Sequence, residues 1–462
     1  LLVSYGAGFK KITGLAIPIA LSYTFSFSVV IIGLLANPLY TDAQTSAAMT
    51  LVMSSINSLT IIFISPLFAL SIIASRLQGS LRQVTDQQHL EKIKNRISAV
   101  NIKGMFICFS LFPALFLILF FSKWVFYTLL GQPKMVSFIA QDFLRIYAFA
   151  APVLLLRICY EQMMFSFSKA KPAMVMGLVS LTFGTLLAFL FSRGWFFIPK
   201  MGLKGIALGY VVEAYLIAIF YGCYIQFSKA FDGCHFFRFK LSTHAGLNLM
   251  KEIRKIAVPI SFVVCNEVIL TFAISTAGGI AGITSLAALN ISMTFVFFCF
   301  VFLAAFGQSC CQEVSRQLGA KDFKKARYLS ISGALASVVV IGLFASVVIV
   351  YPSLFSNLIN GHDPHVVSTA LYVLPIISLT TIFDSLRYHL LQVLRAYHDL
   401  IKPMILSTSS TWVTIFFLFF IGVKLNYQAK GIAWVYLIGT IMSVLLLLPR
   451  YIKKINALYL EA

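Results

Sequence analysis

The chain has 462 residues, 60% hydrophobic and 11% charged, with a mean hydropathy of +0.91. Soluble domains run at roughly 45–50% apolar and 25% charged, so a soluble enzyme is excluded and a membrane protein is implied. The 36 Lys and Arg against 15 Asp and Glu would suggest nucleic acid in a soluble protein, but here they mark basic cytoplasmic loops, and no nucleic-acid partner is expected.

Apolar runs bounded by charge or turn residues fall near 12–36, 47–74, 99–122, 136–158, 172–192, 202–225, 256–280, 284–312, 328–350, 366–390, 403–423 and 430–449. At about 20 residues per span, these predict an all-α membrane protein of twelve transmembrane helices. The alternating strands of an outer-membrane barrel are not seen. The chain begins Leu1-Leu2 with no initiator Met and no cleavable signal. A few native residues are therefore expected to be missing, and the first run is long enough to be a retained span.

With the N-terminus inside, the cytoplasmic segments collect 28 Lys and Arg, including Arg157, Arg387 and Arg395. The outer segments hold seven, and Arg145 sits within the fourth span. Both termini are thus expected in the cytoplasm of a multi-pass protein of the plasma membrane, the inner membrane in a bacterium. The eight cysteines show no metal-ligand spacing and no disulfide framework. A Gly-x-x-x-x-Gly-Lys-Ser/Thr loop is absent, so no ATP site and no enzyme activity are expected.

The two halves echo each other in order. Ala16-Ile17-Pro18-Ile19 returns as Ala257-Val258-Pro259-Ile260, Ser75-Arg76 as Ser315-Arg316, Lys171-Pro172 as Lys402-Pro403, and Lys204-Gly205-Ile206-Ala207 as Lys430-Gly431-Ile432-Ala433. The offsets are 241, 240, 231 and 226. An even number of spans per copy gives both copies one topology, which predicts two six-helix lobes related by a pseudo-two-fold along the membrane normal. The expected divisions are an N-terminal lobe over 1–225, a cytoplasmic linker over 226–255, and a C-terminal lobe with a short tail over 256–462. Parallel repeats of this kind favour transport through a cavity exposed alternately to either side.

A carboxylate inside a span costs about 2.5–3.5 kcal/mol unless it is protonated, paired or beside water. Glu267, in the seventh span, and Asp384, late in the tenth, are the two candidates for binding a coupling ion, H⁺ or Na⁺. The other readings are a structural hydrogen-bonding carboxyl for Glu267 and a solvated charge paired with Arg387 for Asp384. Asn266, Asn290 and Ser385 offer neutral oxygens of the type Na⁺ prefers; the other reading of Asn290 is an interhelical hydrogen-bonder. Glu213, in the sixth span, either lines the cavity or bonds a neighbouring helix. Asp142 and Arg145, three apart, are expected to form a local pair, and Gln308 to be structural.

These residues resemble a known family. Glu313-Val314-Ser315-Arg316-Gln317-Leu318-Gly319-Ala320 with Ala326-Arg327, Leu394-Arg395-Ala396 with Lys402-Pro403-Met404, and Lys204-Gly205-Ile206-Ala207 are similar to stretches of the multidrug and toxic compound extrusion (MATE) transporters. The NorM-like branch carries a Glu eight residues after the Pro of its seventh helix and an Asp in its tenth; Pro259 to Glu267 and Asp384 match both. The resemblance therefore implies the same pair as cation-site residues. Most departures lie in the N-terminal half. Ile32 stands where family members that use this lobe have an Asp, Gly184 and Ala188 replace fifth-helix Asn residues, and Thr380 replaces a Tyr one turn before the tenth-helix Asp. The resemblance thus implies an N-lobe ion site that has been lost, with coupling through the C-lobe.

The function expected is a cation-coupled secondary antiporter exporting amphipathic, often cationic organic compounds, with membrane lipid around it, no cofactor and no obligate protein partner. The alternatives are a lipid-linked saccharide flippase of the same superfamily and a non-transporting membrane receptor. The flippase is disfavoured because nearly every Lys and Arg assigns to a loop or span end.

Overall fold

A computed structural model describes residues 2–35, 43–129, 131–195, 199–238, 243–353 and 364–460. Asp42, residues 239–242 of the expected linker and the side chain of Ile32 lie outside the described residues. No strand occurs among the described residues. The chain is all-α, and α1, Leu2–Leu35, is followed by eleven helices long and apolar enough to cross a membrane.

These are α2 (Ala47–Gln83), α3 (Gln87–Phe120), α4 (Lys134–Ser166), α5 (Ala170–Arg193), α6 (Leu203–Phe227), α7 (Asn248–Ala281), α8 (Ile283–Gly319), α9 (Phe323–Val350), α10 (Pro364–Ala396), α11 (Ile401–Lys424) and α12 (Gln428–Ala457). Each covers one of the apolar runs predicted from the sequence. Several extend beyond the run, because a helix continues past the hydrocarbon wherever a cap satisfies its free backbone groups. The Asp86 carboxylate accepts from Gln88 N at 3.2 Å ahead of α3, and Asp322 accepts from Lys325 N at 3.0 Å ahead of α9. Gly194 ends α5 in the left-handed conformation, φ 73°, which glycine adopts without steric cost.

The chain forms two compact units, Leu21–Ala257 and a second made of Leu1–Ala20 with Val258–Ala462. They are called the N-terminal and C-terminal units below. In the N-terminal unit α4 packs against α2, α3 and α6, α2 against α3, and α5 against α6. The C-terminal unit repeats the pattern: α10 packs against α8, α9 and α12, α8 against α9, and α11 against α12. The repeat read from short sequence echoes is thus a repeat of helix packing.

Within each unit the interior is apolar and small residues allow close approach. In the C-terminal unit Ile274, Leu289, Ile377, Leu418 and Ile432 form one buried cluster, and Phe295, Leu303, Ile341 and Leu374 another. Large apolar side chains such as Phe106 and Phe109 on α3, Phe183 and Leu186 on α5, and Leu343 and Val347 on α9 point outward. Outward apolar faces on helices with fully paired backbones are what lipid requires.

Candidate functional site

Glu267 and Asp384 meet at one arginine. Asp384 lies one turn before Arg387 on α10, and the guanidinium reaches α7 on its other edge. Arg387 Nε donates to Asp384 Oδ1 at 2.6 Å and Nη2 donates to Glu267 Oε1 at 3.1 Å. Nη1 lies 3.5 Å from Ser407 Oγ on α11. The three side chains are 11–18% exposed. A planar five-donor fork suits this task, since each edge meets a different acceptor without a change of rotamer.

Two carboxylates meet one guanidinium, and the buried Arg395 lies within electrostatic reach of Glu267. Tyr436 on α12 and Tyr388 on α10 lie within electrostatic reach of the acids. Thr380 turns its hydroxyl back to Ile376 O at 2.9 Å. The phenol near Asp384 therefore comes from another helix, which the sequence does not signal.

The other predicted residues occupy different surroundings. Asn266 is engaged in helix packing: its Nδ2 donates to Phe262 O at 2.7 Å and to Thr408 Oγ1 at 3.2 Å, while Trp412 Nε1 donates to its Oδ1 at 3.0 Å. Ser385 is buried and donates to Ile382 O at 2.8 Å. Asn290 is exposed on α8, and no described hydrogen bond joins its side chain to either acid. Gln308 is buried on the same helix. Glu213 is 5% exposed in the N-terminal unit and accepts a short hydrogen bond from Ser180 on α5.

Three expectations are corrected. Asp142 pairs with Lys204 at 3.1 Å, and Arg145 lies 4.8 Å above the Phe120 ring, so the two form no local pair. An exposed carboxylate takes whichever cation arrives on a neighbouring helix. Arg157 and Arg387, assigned to cytoplasmic span ends, are instead packed within α4 and α10, Arg157 being 5% exposed. Finally, the N-terminal unit contains a buried acid the sequence reading passed over. Glu161 is fully buried on α4 and accepts from Ser22 Oγ at 2.7 Å. Its spacing from Arg157, i to i+4, was the available signal. Ending the fourth span at residue 158 placed it in a loop.

At the cytoplasmic end expected from the charge pattern, a second polar cluster closes the C-terminal unit. Glu313 of α8 is bridged by Arg316 and by Lys11 of α1, while Gly8 N donates to Tyr328 OH at 2.7 Å. Arg450 forks onto Asp399 at 2.6 and 2.9 Å. In the N-terminal unit an open groove of about 380 Å³ lies between α4 and α6, lined by apolar and aromatic side chains such as Val153, Tyr160, Tyr215 and Phe227. It includes none of the acids.

A two-unit bundle of membrane-length helices with a repeated packing scheme and a paired acid centre inside its helices defines a polytopic membrane protein. Residues 259–420 match the MatE family model, a stretch that holds Glu267, Asp384 and Arg387. The resemblance to MATE transporters is borne out by relatives and by fold. A probable multidrug resistance protein NorM from Haemophilus ducreyi is 25% identical over 347 residues, covering 74% of this chain and 72% of that one. A NorM from Shewanella oneidensis is 28% identical over 61% of this chain and 62% of its own length. Among solved structures, the eukaryotic MATE transporter AtDTX14 superimposes with TM-score 0.80 at 16% identity, covering 99% of this chain and 98% of that one. A MATE structure in a bent conformation gives 0.83 at 13%, again covering 99% and 98%.

Proposed function

We propose that the chain is a cation-coupled secondary antiporter, driven by H⁺ or Na⁺, that exports amphipathic organic cations by alternating access. Coupling runs through Glu267 and Asp384. The observation that carries this reading is the Arg387 fork between the two acids, which holds two carboxylates of different helices against one guanidinium in a largely desolvated place. A proton, a sodium ion and the charged end of an organic cation each compete with Arg387 for these carboxylates, and such competition is the basis of exchange. A proton arriving on either acid frees one edge of Arg387. The guanidinium then pairs with the remaining carboxylate, and the tie between α7 and α10 loosens. The membrane potential supplies about 2.3 kcal/mol per charge per 100 mV.

The names of the NorM relatives support export of drug-like compounds, and carboxylates set within apolar helices suit amphipathic cations. Placement in the plasma membrane, the inner membrane of a bacterium, with both termini in the cytoplasm follows from the basic loops. The buried Arg157 and Arg387 remove the argument first raised against a saccharide flippase. In its place, the acids that meet Arg157 and Arg387 disfavour a pyrophosphate ligand at either arginine.

The test is equilibrium binding of ethidium to purified protein while pH and Na⁺ are varied. Affinity is expected to fall as the coupling ion is raised, and this dependence to vanish in Glu267→Gln and Asp384→Asn. Binding indifferent to both ions in the unmodified protein, or equally sensitive in the variants, overturns the reading.

A further inference from the structure

We propose that the groove between α4 and α6 of the N-terminal unit binds one anionic phospholipid, with an acyl chain laid along the groove and the phosphate held at its basic mouth. The site shares no residue with the Glu267 and Asp384 centre.

A glycine opens the groove. A Cβ at Gly222 would stand 3.6 Å from Tyr160 Cε2 and 3.8 Å from Phe237 Cζ, ordinary contact distances, so a longer side chain there would take up groove space. The lining runs along α6 from Tyr215 to Phe227, a rise of about 18 Å. Half of the hydrocarbon core is about 15 Å, so the groove has the depth of one leaflet. Phe227, at its end, is 81% exposed, which suits contact with lipid rather than with protein.

The mouth is built by the chain that follows α6. Phe236 is fully buried, its carbonyl accepts from Asn101 Nδ2 of α3 at 3.4 Å, and His235 N donates to Ser98 Oγ of α3 at 2.9 Å. These ties fix Phe237 as the end wall, where its ring meets Tyr160 edge-on with centroids 6.1 Å apart. Arg238 follows that wall directly, Lys229 comes two residues after Phe227, and both are exposed. Lys94 of α3 adds a third cation, close to Gly233. Asp232 is the single acid between Gln226 and Arg238.

Charge decides the occupant. An organic cation meets no carboxylate along the lining and is repelled at the mouth. A neutral lipid fills the groove but gains nothing from the basic residues. A lipid with a net negative head satisfies both ends, and the attraction of a basic segment to such heads falls off within a Debye length, so the cations must flank the groove as they do.

Native mass spectrometry of the full chain in detergent, with dioleoyl phosphatidylglycerol or dioleoyl phosphatidylcholine added, tests the proposal. The unmodified protein should retain one phosphatidylglycerol in preference to phosphatidylcholine. Lys229→Gln and Arg238→Gln, both at exposed positions, should each lower that preference about fivefold. Gly222→Leu should lower retention of both lipids, because it fills the space the acyl chain takes. If that variant fails to fold, the two mouth variants decide alone. Equal retention of the two lipids by the unmodified protein, a preference unchanged in both mouth variants, or retention untouched in a folded Gly222→Leu overturns the proposal. Ethidium binding that Gly222→Leu abolishes also overturns it, and gives the groove to substrate instead.

Discussion

Arg387 holds three helices with one side chain, and its shape matters as much as its charge. A lysine keeps the charge but offers a single point donor that cannot face Glu267 and Asp384 together. Arg387→Lys is therefore expected to fold yet to lose most gradient-driven exchange, measured as ethidium efflux. Arg387→Gln leaves two uncompensated acids, and breaking such a pair costs about 3–5 kcal/mol when fully buried, less at 11–18% exposure. Thermal unfolding in detergent should show part of that loss restored in Arg387→Gln combined with Asp384→Asn. Full additivity of the two changes would mean they are not coupled. Trp412→Phe tests the packing role of Asn266: it strands Oδ1 of a buried amide, and a lower melting temperature worth about 1–3 kcal/mol is expected, without loss of ion dependence.

The two C-terminal acids are legible in the sequence because a carboxylate interrupting an apolar run has no cheap explanation. Arg387 is legible as the partner of Asp384 one turn away, but not as the bridge to Glu267, since a cation near the end of a run is read as a loop charge. Arg157 and Glu161 escape for the same reason, together: an ion pair ends a hydropathy window whether or not it ends the helix. The Tyr436 phenol is invisible because only packing brings α12 beside α10.

At the scale of elements, glycine explains one of the sequence echoes. Gly205 and Gly209 let α6 lie against the end of α5: a Cβ at Gly209 would stand 2.7 Å from Ala188 N, and one at Gly205 would stand 2.5 Å from Phe191 O. Both obstacles are backbone and cannot swing away. In the other half, a Cβ at Gly431 would meet Tyr427 Cβ at 2.5 Å. Gly209→Ala should thus destabilise the protein by about 1–3 kcal/mol through overpacking. Gly342→Ala on α9, with nothing within 4 Å, should be neutral or slightly stabilising. Equal melting temperatures for the two variants would contradict the packing assigned to α5 and α6. Helix number and order were readable from hydropathy, whereas helix ends were not. The polar first turns of α3, capped by Asp86, contribute nothing to an apolar window although their backbone is helical.

For the molecule as a whole, the charge pattern and the repeat make separate claims. Removing Arg157 and Arg387 from the expected cytoplasmic tally leaves its basic excess intact, so the proposed orientation rests on the remaining loops. A Lys92→Cys variant in right-side-out vesicles should resist an impermeant thiol reagent until the membrane is opened, and a Lys200→Cys variant should react at once. The reverse order would invert the topology. The repeat claims that both units set an arginine of the fourth helix among carboxylates, Glu161 and Glu213 in one and Glu267 and Asp384 in the other.

The central claim is that Glu267 and Asp384 couple an ion gradient to export. Its most direct test is ethidium efflux from proteoliposomes under an imposed pH or Na⁺ gradient, in the unmodified protein, Glu267→Gln and Asp384→Asn. The account predicts efflux driven by one of the two gradients and lost in both variants. Gradient-driven efflux that survives both changes would contradict it.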